Sequence, residues 1–264
     1  MSFSIDLLSA FANTYTFLVS DRDLGLAMAV DPGDGEAVLR ALKQRDLYLA
    51  LILNTHHHDS DSGNDKLQLE FGAPIIGPAV EQISVPGLSR AVAHGDVVSF
   101  STLRGDVLAV SGHTDGHVSY YFPTLKALFC GDALPSLGCG RLVEGNAVDM
   151  WEQMKVLRAL PDDTQVFCAH EHGEANVGFA QALDKNNEAL KVRAAQITAL
   201  RKAGKPTVPF LLGAEKQANP FLRADQPDLR KALAKDGLTV EDADPAAVFA
   251  TLCSAKDRFG AQKG

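Results

Sequence analysis

The chain has 264 residues, of which 46% are hydrophobic and 22% are charged. These are globular proportions, and they exclude disordered, collagen-like and coiled-coil proteins. The 25 Lys and Arg residues against 33 Asp and Glu residues leave a net charge of −8, which argues against nucleic acid or an anionic membrane as the main partner.

The N-terminal residues lack the basic and apolar regions of a signal peptide, and no apolar run approaches the roughly 20 residues of a membrane span. The four cysteines form no CxxC pair, which is typical of reduced thiols inside the cell. We therefore expect a cytoplasmic protein, and the sequence leaves its oligomeric state open.

Short apolar segments bounded by turns predict a series of strands along the first 170 residues. The predicted strands are residues 14–20, 26–30, 49–53, 74–76, 97–100, 107–110, 118–122, 127–130 and 165–168. Apolar stripes at helical spacing predict helices over residues 36–45, 65–71 and 148–160. This alternation indicates an α/β domain built on sheets.

The composition changes near residue 170, where Ala, Leu, Lys and Gln begin to dominate. Helices are predicted over 188–203, 228–235 and 245–257, the first ending at Gly204 with Pro206 beyond it. We predict a sheet-based domain over residues 1–170 and a helical domain over residues 171–264.

The histidines indicate where the chemistry lies. All eight fall between positions 56 and 172, and most follow a predicted strand. His56 and His58 are two positions apart, so in extended backbone both imidazoles point the same way, whereas His57 points away. Two imidazoles at one strand end are a natural pair of zinc ligands, and Asp59 and Asp61 could add carboxylates.

Three further strand ends carry ligand-type residues. His113 follows the strand 107–110 among glycines that allow a tight turn, and His170 ends the strand 165–168. Asp132 follows the apolar strand 127–130, where an acid is costly unless it is paired or bound to a metal. His117 is predicted to hydrogen-bond rather than to bind the metal. Together these residues are enough for two metals.

At this point the sequence resembles a known family. The matching motifs are Thr55-His56-His57-His58, Gly112-His113-Thr114-x-Gly116-His117, Gly131-Asp132, Cys168-Ala169-His170-Glu171, Gly138-Cys139-Gly140-Arg141, Lys205-Pro206-Thr207-Val208-Pro209, Asn219-Pro220-Phe221-Leu222-Arg223 and Lys256-Asp257-x-Phe259. They resemble the hydroxyacylglutathione hydrolase (glyoxalase II) family of the metallo-β-lactamase superfamily. The motifs extend over nearly the whole chain.

The resemblance implies a four-layer αβ/βα sandwich over residues 1–170 that binds metal and a C-terminal helical domain over residues 171–264 that binds substrate. It also implies a site for one or two Zn²⁺ ions, with Fe or Mn as alternatives at the second position. The implied metal ligands are His56, His58, His113, Asp132, His170, Asp59 and Asp61. A metal-bound hydroxide would attack the thioester of S-D-lactoylglutathione, a small-molecule substrate, to give D-lactate and glutathione. The implied catalytic residues are Asp132, His113, Asp59 and Asp61.

The first loop departs from the family pattern His-x-His-x-Asp-His. Without a gap, Ser60 replaces the aspartate and Asp61 the last histidine; with a one-residue deletion, Asp59 keeps the aspartate position and Ser60 replaces the histidine. Either alignment removes a histidine from the second metal site and leaves a more oxygen-rich ligand set there.

The implied substrate-binding residues are Arg141, His172 and Lys256. Arg141 and Lys256 match basic positions of the family, whereas His172 stands where a tyrosine is usual. Three alternatives to the glutathione thioesterase therefore stay open at this point. They are a hydrolase of another ester, thioester or lactone, a weakly active or inactive metal-binding relative, and a mononuclear iron oxygenase of the same superfamily.

Overall fold

The computed structural model describes residues 2–57, 62–81 and 84–261. Over these ranges the chain forms twelve strands, eight α-helices and two short 3-10 helices.

The first sheet carries the strand end that is followed by His56 and His57. Its strands are β1 (Phe3–Ala10), β2 (Thr14–Asp21), β3 (Leu26–Val30), β4 (Tyr48–Leu53), β5 (Ile75–Pro78) and β6 (Leu88–Val92), in that spatial order. β1 to β3 pair antiparallel, and β3 to β6 pair parallel. Parallel neighbours need a crossover, and α1 (Gly35–Arg45) and α2 (Ser62–Phe71) lie in the first two crossovers. The carboxyl ends of β3 and β4 therefore lie side by side.

The second sheet has the spatial order β12-β11-β10-β9-β8-β7. Its strands are β7 (Val97–Phe100), β8 (Leu103–Ala109), β9 (Val118–Phe122), β10 (Ala127–Gly131), β11 (Gln165–Cys168) and β12 (Phe210–Leu211). β7 to β10 pair antiparallel, as do β11 and β12. Every residue of β9 and β10 is buried, which explains why β10 is a continuous apolar run.

Aromatic rings join the two sheets. The ring centroid of Phe17 on β2 lies 5.7 Å from that of Phe129 on β10 and 5.3 Å from that of Phe167 on β11. The next residue on β2, Leu18, points to the opposite face because side chains alternate along a strand. There it belongs to one buried cluster with Leu42 of α1 and Leu67 of α2. The first sheet is therefore covered by helices on one face and by aromatic residues on the other.

The remaining helices have an aromatic core of their own. They are α3 (Ala147–Arg158), α4 (Gly173–Leu183), α5 (Glu188–Lys202), α6 (Leu212–Ala218), α7 (Pro227–Lys235) and α8 (Pro245–Ala261), and the 3-10 helices are Pro123–Leu125 and Pro220–Leu222. The Phe221 ring centroid lies 6.0 Å from that of Phe179 on α4 and 5.9 Å from that of Phe249 on α8. Trp151 of α3 lies 5.8 Å from Phe249.

The chain divides into two compact units. The first comprises residues 1–110, 114–131 and 167–170, and the second comprises 111–113, 132–166 and 171–264. The predicted domain boundary near residue 170 stays a prediction.

The predicted α/β fold followed by a helical C-terminal region is confirmed. The sequence patterns missed β1, β6, β12, α4 and α6. α4 was missed because Gly173, Asn176 and Gly178 are weak helix formers, and its packing on α5 compensates. Over the described ranges, no helix is both long and apolar enough to cross a membrane.

A charged pair in the second unit gives a prediction about stability. Arg158 of α3 donates to both carboxylate oxygens of Asp225, at 2.7 and 2.6 Å, and to the carbonyl oxygen of Leu222 at 2.8 Å. The hydrogen bonds from Arg158 hold the pKa of Asp225 below its ordinary value. An acid whose pKa is lower in the folded than in the unfolded protein contributes stability at pH values above its pKa in the unfolded chain, about 3.9. This contribution is lost as the pH falls through the pKa of the acid in the folded protein.

Asp225→Asn should therefore lower the free energy of unfolding at pH 7 by about 1–3 kcal/mol. The difference from the parent protein should shrink as the pH is lowered from about 5 to 2. Urea denaturation across this pH range measures both values. The control Glu188→Gln removes an exposed pair with Lys191 and should change stability by less than about 0.5 kcal/mol. A difference between parent and Asp225→Asn that does not depend on pH would contradict this account.

Candidate metal centre and substrate pocket

His56 is oriented by a chain of hydrogen bonds at the carboxyl ends of β3 and β4. Asp31 accepts hydrogen bonds from the backbone N–H of Thr55 at 2.8 Å and from its hydroxyl at 2.9 Å. The same hydroxyl oxygen lies 2.8 Å from Nδ1 of His56. Since the hydroxyl hydrogen goes to Asp31, the oxygen accepts from Nδ1–H, and Nε2 of this 1% exposed imidazole carries the lone pair.

Tyr120 supports the same strand end. Its hydroxyl donates to the carbonyl oxygen of Asn54 at 2.7 Å. Burial and the nearby Asp31 carboxylate raise the pKa of Tyr120 well above its ordinary value. The phenol therefore stays protonated and remains a donor across the physiological pH range.

Glu81 connects the two histidine loops of the first unit. It is buried, and it accepts from the backbone N–H groups of His57 at 2.5 Å and Gly116 at 3.1 Å and from the Thr114 hydroxyl. One of its oxygens also lies 3.1 Å from Nδ1 of His57. His57, for which we predict no ligand role, thus directs its ring at a carboxylate within the fold.

His117 and His170, which also belong to the first unit, have defined neighbours. His117 is fully buried and stacks on His56 with a centroid distance of 4.3 Å. Nδ1 of His170 lies 3.4 Å from the Thr14 hydroxyl. Gly131 has φ +50°, and a Cβ there would collide with the Thr55 hydroxyl and lie 2.7 Å from Nε2 of His117. A glycine is therefore required directly before Asp132.

In the second unit, His113 and Asp132 form a pair. Nε2 of His113 lies 3.3 Å from Oδ2 of Asp132, and the two side chains are 21% and 15% exposed. Nδ1 of His113 lies 3.3 Å from the carbonyl oxygen of Arg141. A carbonyl can only accept, so Nδ1 carries the proton, and in the neutral imidazole Nε2 carries the lone pair. A Cβ at Gly140 would lie 2.8 Å from the carbonyl oxygen of Asp132, which makes glycine necessary there as well.

This pair lines a cavity of about 250 Å³ in the second unit. The cavity is also lined by all three predicted substrate-binding residues, Arg141, His172 and Lys256. Arg141 is 78% exposed. Lys256 is half-buried, with its Nζ donating to the carbonyl oxygen of Cys139 at 2.8 Å. Two cations and an imidazole therefore stand around the His113–Asp132 pair.

The wall of this cavity is held by side chains from the helices. Asn176 of α4 donates to the carbonyl oxygen of Ser136 at 2.9 Å, and Asn219 donates to that of Gly138 at 2.8 Å. Glu215 of α6 is fully buried and accepts from the Ser136 hydroxyl at 2.7 Å and from the Leu137 N–H at 2.8 Å. The loop after Asp132 is therefore fixed through its backbone.

Several of these residues escaped the sequence analysis. Asp31 directly follows a buried strand, where an acid is costly unless it is paired, and this is the sequence signal that could have identified it. Glu81, Asn176 and Glu215 lie far along the chain from the groups they contact, and no local pattern marks them. His58, Asp59, Ser60 and Asp61 lie outside the described residues, so the two alignments of the first loop stay predictions.

The described residues fit a divalent cation by their donor chemistry. His56 and His113 each direct Nδ1–H to an oxygen, which leaves Nε2 as the acceptor, and Asp132 supplies a carboxylate beside His113. Imidazole nitrogens with a carboxylate are the donors that Zn²⁺ and related cations prefer.

Comparisons with known proteins identify the family of the chain. Residues 14–170 match the family model of the metallo-beta-lactamase superfamily, and residues 171–259 match that of the hydroxyacylglutathione hydrolase C-terminus. A hydroxyacylglutathione hydrolase of Rhodospirillum rubrum is 44% identical, with 97% of this chain and 98% of the relative covered. One of Brucella anthropi is 43% identical, with 94% of each chain covered.

Among solved structures, ETHE1 from Myxococcus xanthus aligns with a TM-score of 0.65 and 25% identity over 97% of this chain and 98% of its own. The members of the metallo-beta-lactamase superfamily bind divalent metals, in keeping with the donor set described above. By its two family models and by its full-length relatives, the chain belongs to the hydroxyacylglutathione hydrolase family of the metallo-beta-lactamase superfamily.

Proposed function

We propose that the chain hydrolyses the thioester S-D-lactoylglutathione to D-lactate and glutathione, using a divalent cation held by the predicted ligands. The observation that carries the proposal is the cavity of the second unit, where the His113–Asp132 pair stands beside Arg141, His172 and Lys256. A site that hydrolyses an anionic thioester needs groups that can bind a metal next to groups that can bind the substrate.

The proposed ligands are Nε2 of His56, Nε2 of His113, a carboxylate oxygen of Asp132, and His170, with His58, Asp59 and Asp61 added from the first loop. Zn²⁺ suits the imidazole-rich part of this set, and Fe or Mn suits the oxygen-rich second position. When bound, the cation supplies a hydroxide nucleophile at neutral pH and stabilises the negative charge on the thioester carbonyl oxygen.

The side chains of the chain itself would position the substrate. Glutathione carries two carboxylates, and the exposed guanidinium of Arg141 is suited to attract one of them. The ammonium of Lys256 is held in place by the Cys139 carbonyl and by the ring of Phe221 5.4 Å away, so it offers a fixed positive charge at the cavity wall. The imidazole of His172, at the start of α4, can donate a hydrogen bond to the bound thioester.

We propose the cytoplasm as the place of this reaction. None of the four cysteines forms a disulfide bond, and all four are buried, which supports a reducing compartment.

Hydrolysis of S-D-lactoylglutathione tests the proposal directly. Loss of thioester absorbance is followed on protein loaded with Zn²⁺, and the metal content is measured in the same sample. We expect turnover that rises with metal content. Metal-loaded protein that leaves this thioester intact would overturn the proposal, and hydrolysis of another ester by the same sample would identify the alternative hydrolase.

Asp132→Ala should remove both metal retention and hydrolysis. Because the carboxylate is a proposed ligand and lies beside His113, kcat/KM should fall by about a thousandfold or more. The matched control is Asp106→Ala, which removes an exposed acid of β8 and should leave metal content and rate as in the parent. Hydrolysis at the parent rate in Asp132→Ala would refute the assigned metal centre.

Thr55→Val should weaken metal binding by about 10–100-fold, since it removes the oxygen that orients His56. The control Thr16→Val removes a buried hydroxyl that donates to the Asp31 carbonyl at 2.9 Å. It should change the stability of the protein without weakening metal binding. Metal affinity is measured by titration, and urea denaturation of the metal-free proteins separates stability from binding. Equal affinities in the two variants would show that His56 needs no such orientation.

Arg141→Ala should raise KM by about 3–10-fold with a smaller change in kcat, because an exposed cation contributes mainly to binding of the anionic substrate. The increase should be smaller at high salt, where exposed charges are screened. Arg104→Ala removes an exposed arginine of β8 and serves as the control. A loss of kcat at unchanged KM would exclude this binding role.

A further inference from the structure

Two cysteine side chains meet beside the cavity of the second unit. Cys139 lies in the loop after Asp132, and Cys253 lies on α8; they are 2% and 7% exposed. Their thiols are hydrogen-bonded to each other. A disulfide bond between them requires the two sulfur atoms to approach to about 2.05 Å.

Cys139 also forms part of the cavity wall, together with Arg141, His172 and Lys256. Lys256 stands three residues after Cys253 on α8, and its ammonium bonds the carbonyl oxygen of Cys139. Burial raises the pKa of the Cys139 thiol, but the hydrogen bond from Cys253 and the charge of Lys256 outweigh it and hold this pKa below its ordinary value. The hydrogen bond to Cys139 and burial raise the pKa of Cys253. Because Cys139 forms part of the cavity wall, it is the thiol that a ligand in the cavity meets and the attacking thiol of the pair.

The other two cysteines differ in their surroundings. Cys130 lies in β10, and its thiol donates towards the carbonyl oxygen of Phe167 at 3.7 Å. Cys168 ends β11, and its thiol donates to the carbonyl oxygen of His170 at 3.4 Å. Both thiols bond backbone oxygens of the first unit, and they serve as internal controls for the pair in the second unit.

We propose that Cys139 and Cys253 are a modification site that reacts reversibly with glutathione disulfide and closes to an internal disulfide. The inference rests on the proposed function in one respect, namely that the cavity admits a glutathione moiety. Glutathione disulfide carries the same moiety as the proposed substrate, so the cations that attract one attract the other.

The exchange proceeds in two balanced steps. The Cys139 thiolate attacks one sulfur of glutathione disulfide, the S–S bond breaks, and one glutathione thiolate leaves. The Cys253 sulfur then attacks the Cys139 sulfur of the mixed disulfide and releases the second glutathione. Overall, two protein thiols are oxidised, one glutathione disulfide is reduced to two glutathione molecules, and the two thiol protons end on these products.

Either product should slow hydrolysis. A glutathione adduct on Cys139 would occupy the cavity, and the Cys139–Cys253 bond would tie α8, which carries Lys256, to the cavity wall. We expect hydrolysis of S-D-lactoylglutathione to fall by about tenfold or more in the oxidised protein and to recover after reduction.

The test uses metal-loaded full-length protein incubated with glutathione disulfide. Remaining thiols are alkylated under denaturing conditions and the peptides are mapped by mass spectrometry. The parent protein should contain a Cys139–Cys253 disulfide, and Cys253→Ser should accumulate a glutathione adduct on Cys139 because the second step is blocked. Cys130 and Cys168 should be recovered as alkylated thiols in both proteins.

Thiol mapping and hydrolysis are independent readouts, so the two proposals fail separately. Alkylated Cys139 and Cys253 in a protein that hydrolyses the thioester would overturn the modification site alone. The mapped disulfide in a metal-loaded protein that leaves the thioester intact would support the site and overturn the proposed function. In the variant Cys139→Ser, the rates of hydrolysis with and without glutathione disulfide treatment should be nearly equal. A tenfold loss of rate on treatment of this variant would overturn the link between the thiol pair and activity.

Discussion

An imidazole can give a lone pair to a metal through one nitrogen only, and the proton on the other nitrogen must go to an acceptor. This constraint explains the arrangement around His56 and His113. His56 gives its Nδ1 proton to Thr55, whose own hydroxyl hydrogen is taken by Asp31. His113 gives its proton to the carbonyl oxygen of Arg141. The parallel pairing of β3 and β4 is what brings Asp31 beside Thr55.

Buried acids and glycines hold the loops that carry these imidazoles. Glu81 accepts from the loop of His57 and from the loop of Thr114 and Gly116, so a single carboxylate fixes two segments that are far apart in sequence. Glycines at 131 and 140 allow backbone to approach where a Cβ would collide. Much of the precision of the histidine positions thus depends on residues that would not themselves touch a metal.

The helices of the second unit also hold the loop that follows Asp132 in place. Asn176, Asn219 and Lys256 each donate to a carbonyl oxygen of the loop that follows Asp132. That loop forms the cavity wall and holds Cys139 against Cys253. The contacts that shape the proposed glutathione pocket therefore also create the thiol pair, and both depend on the packing of α4 and α8 around Phe221.

The sequence alone determined most strands, the long helices and the set of strand-end histidines and acids, because apolar periodicity and residue type are local properties. The grouping of His113 and Asp132 with Arg141, His172 and Lys256 was implied by the family resemblance, and the cavity of the second unit brings them together. Only the tertiary structure decided the partners of Asp31 and Glu81, the support of the loop after Asp132 and the pairing of Cys139 with Cys253. These contacts join residues that are distant in the chain, and no local pattern encodes which distant groups packing will bring together.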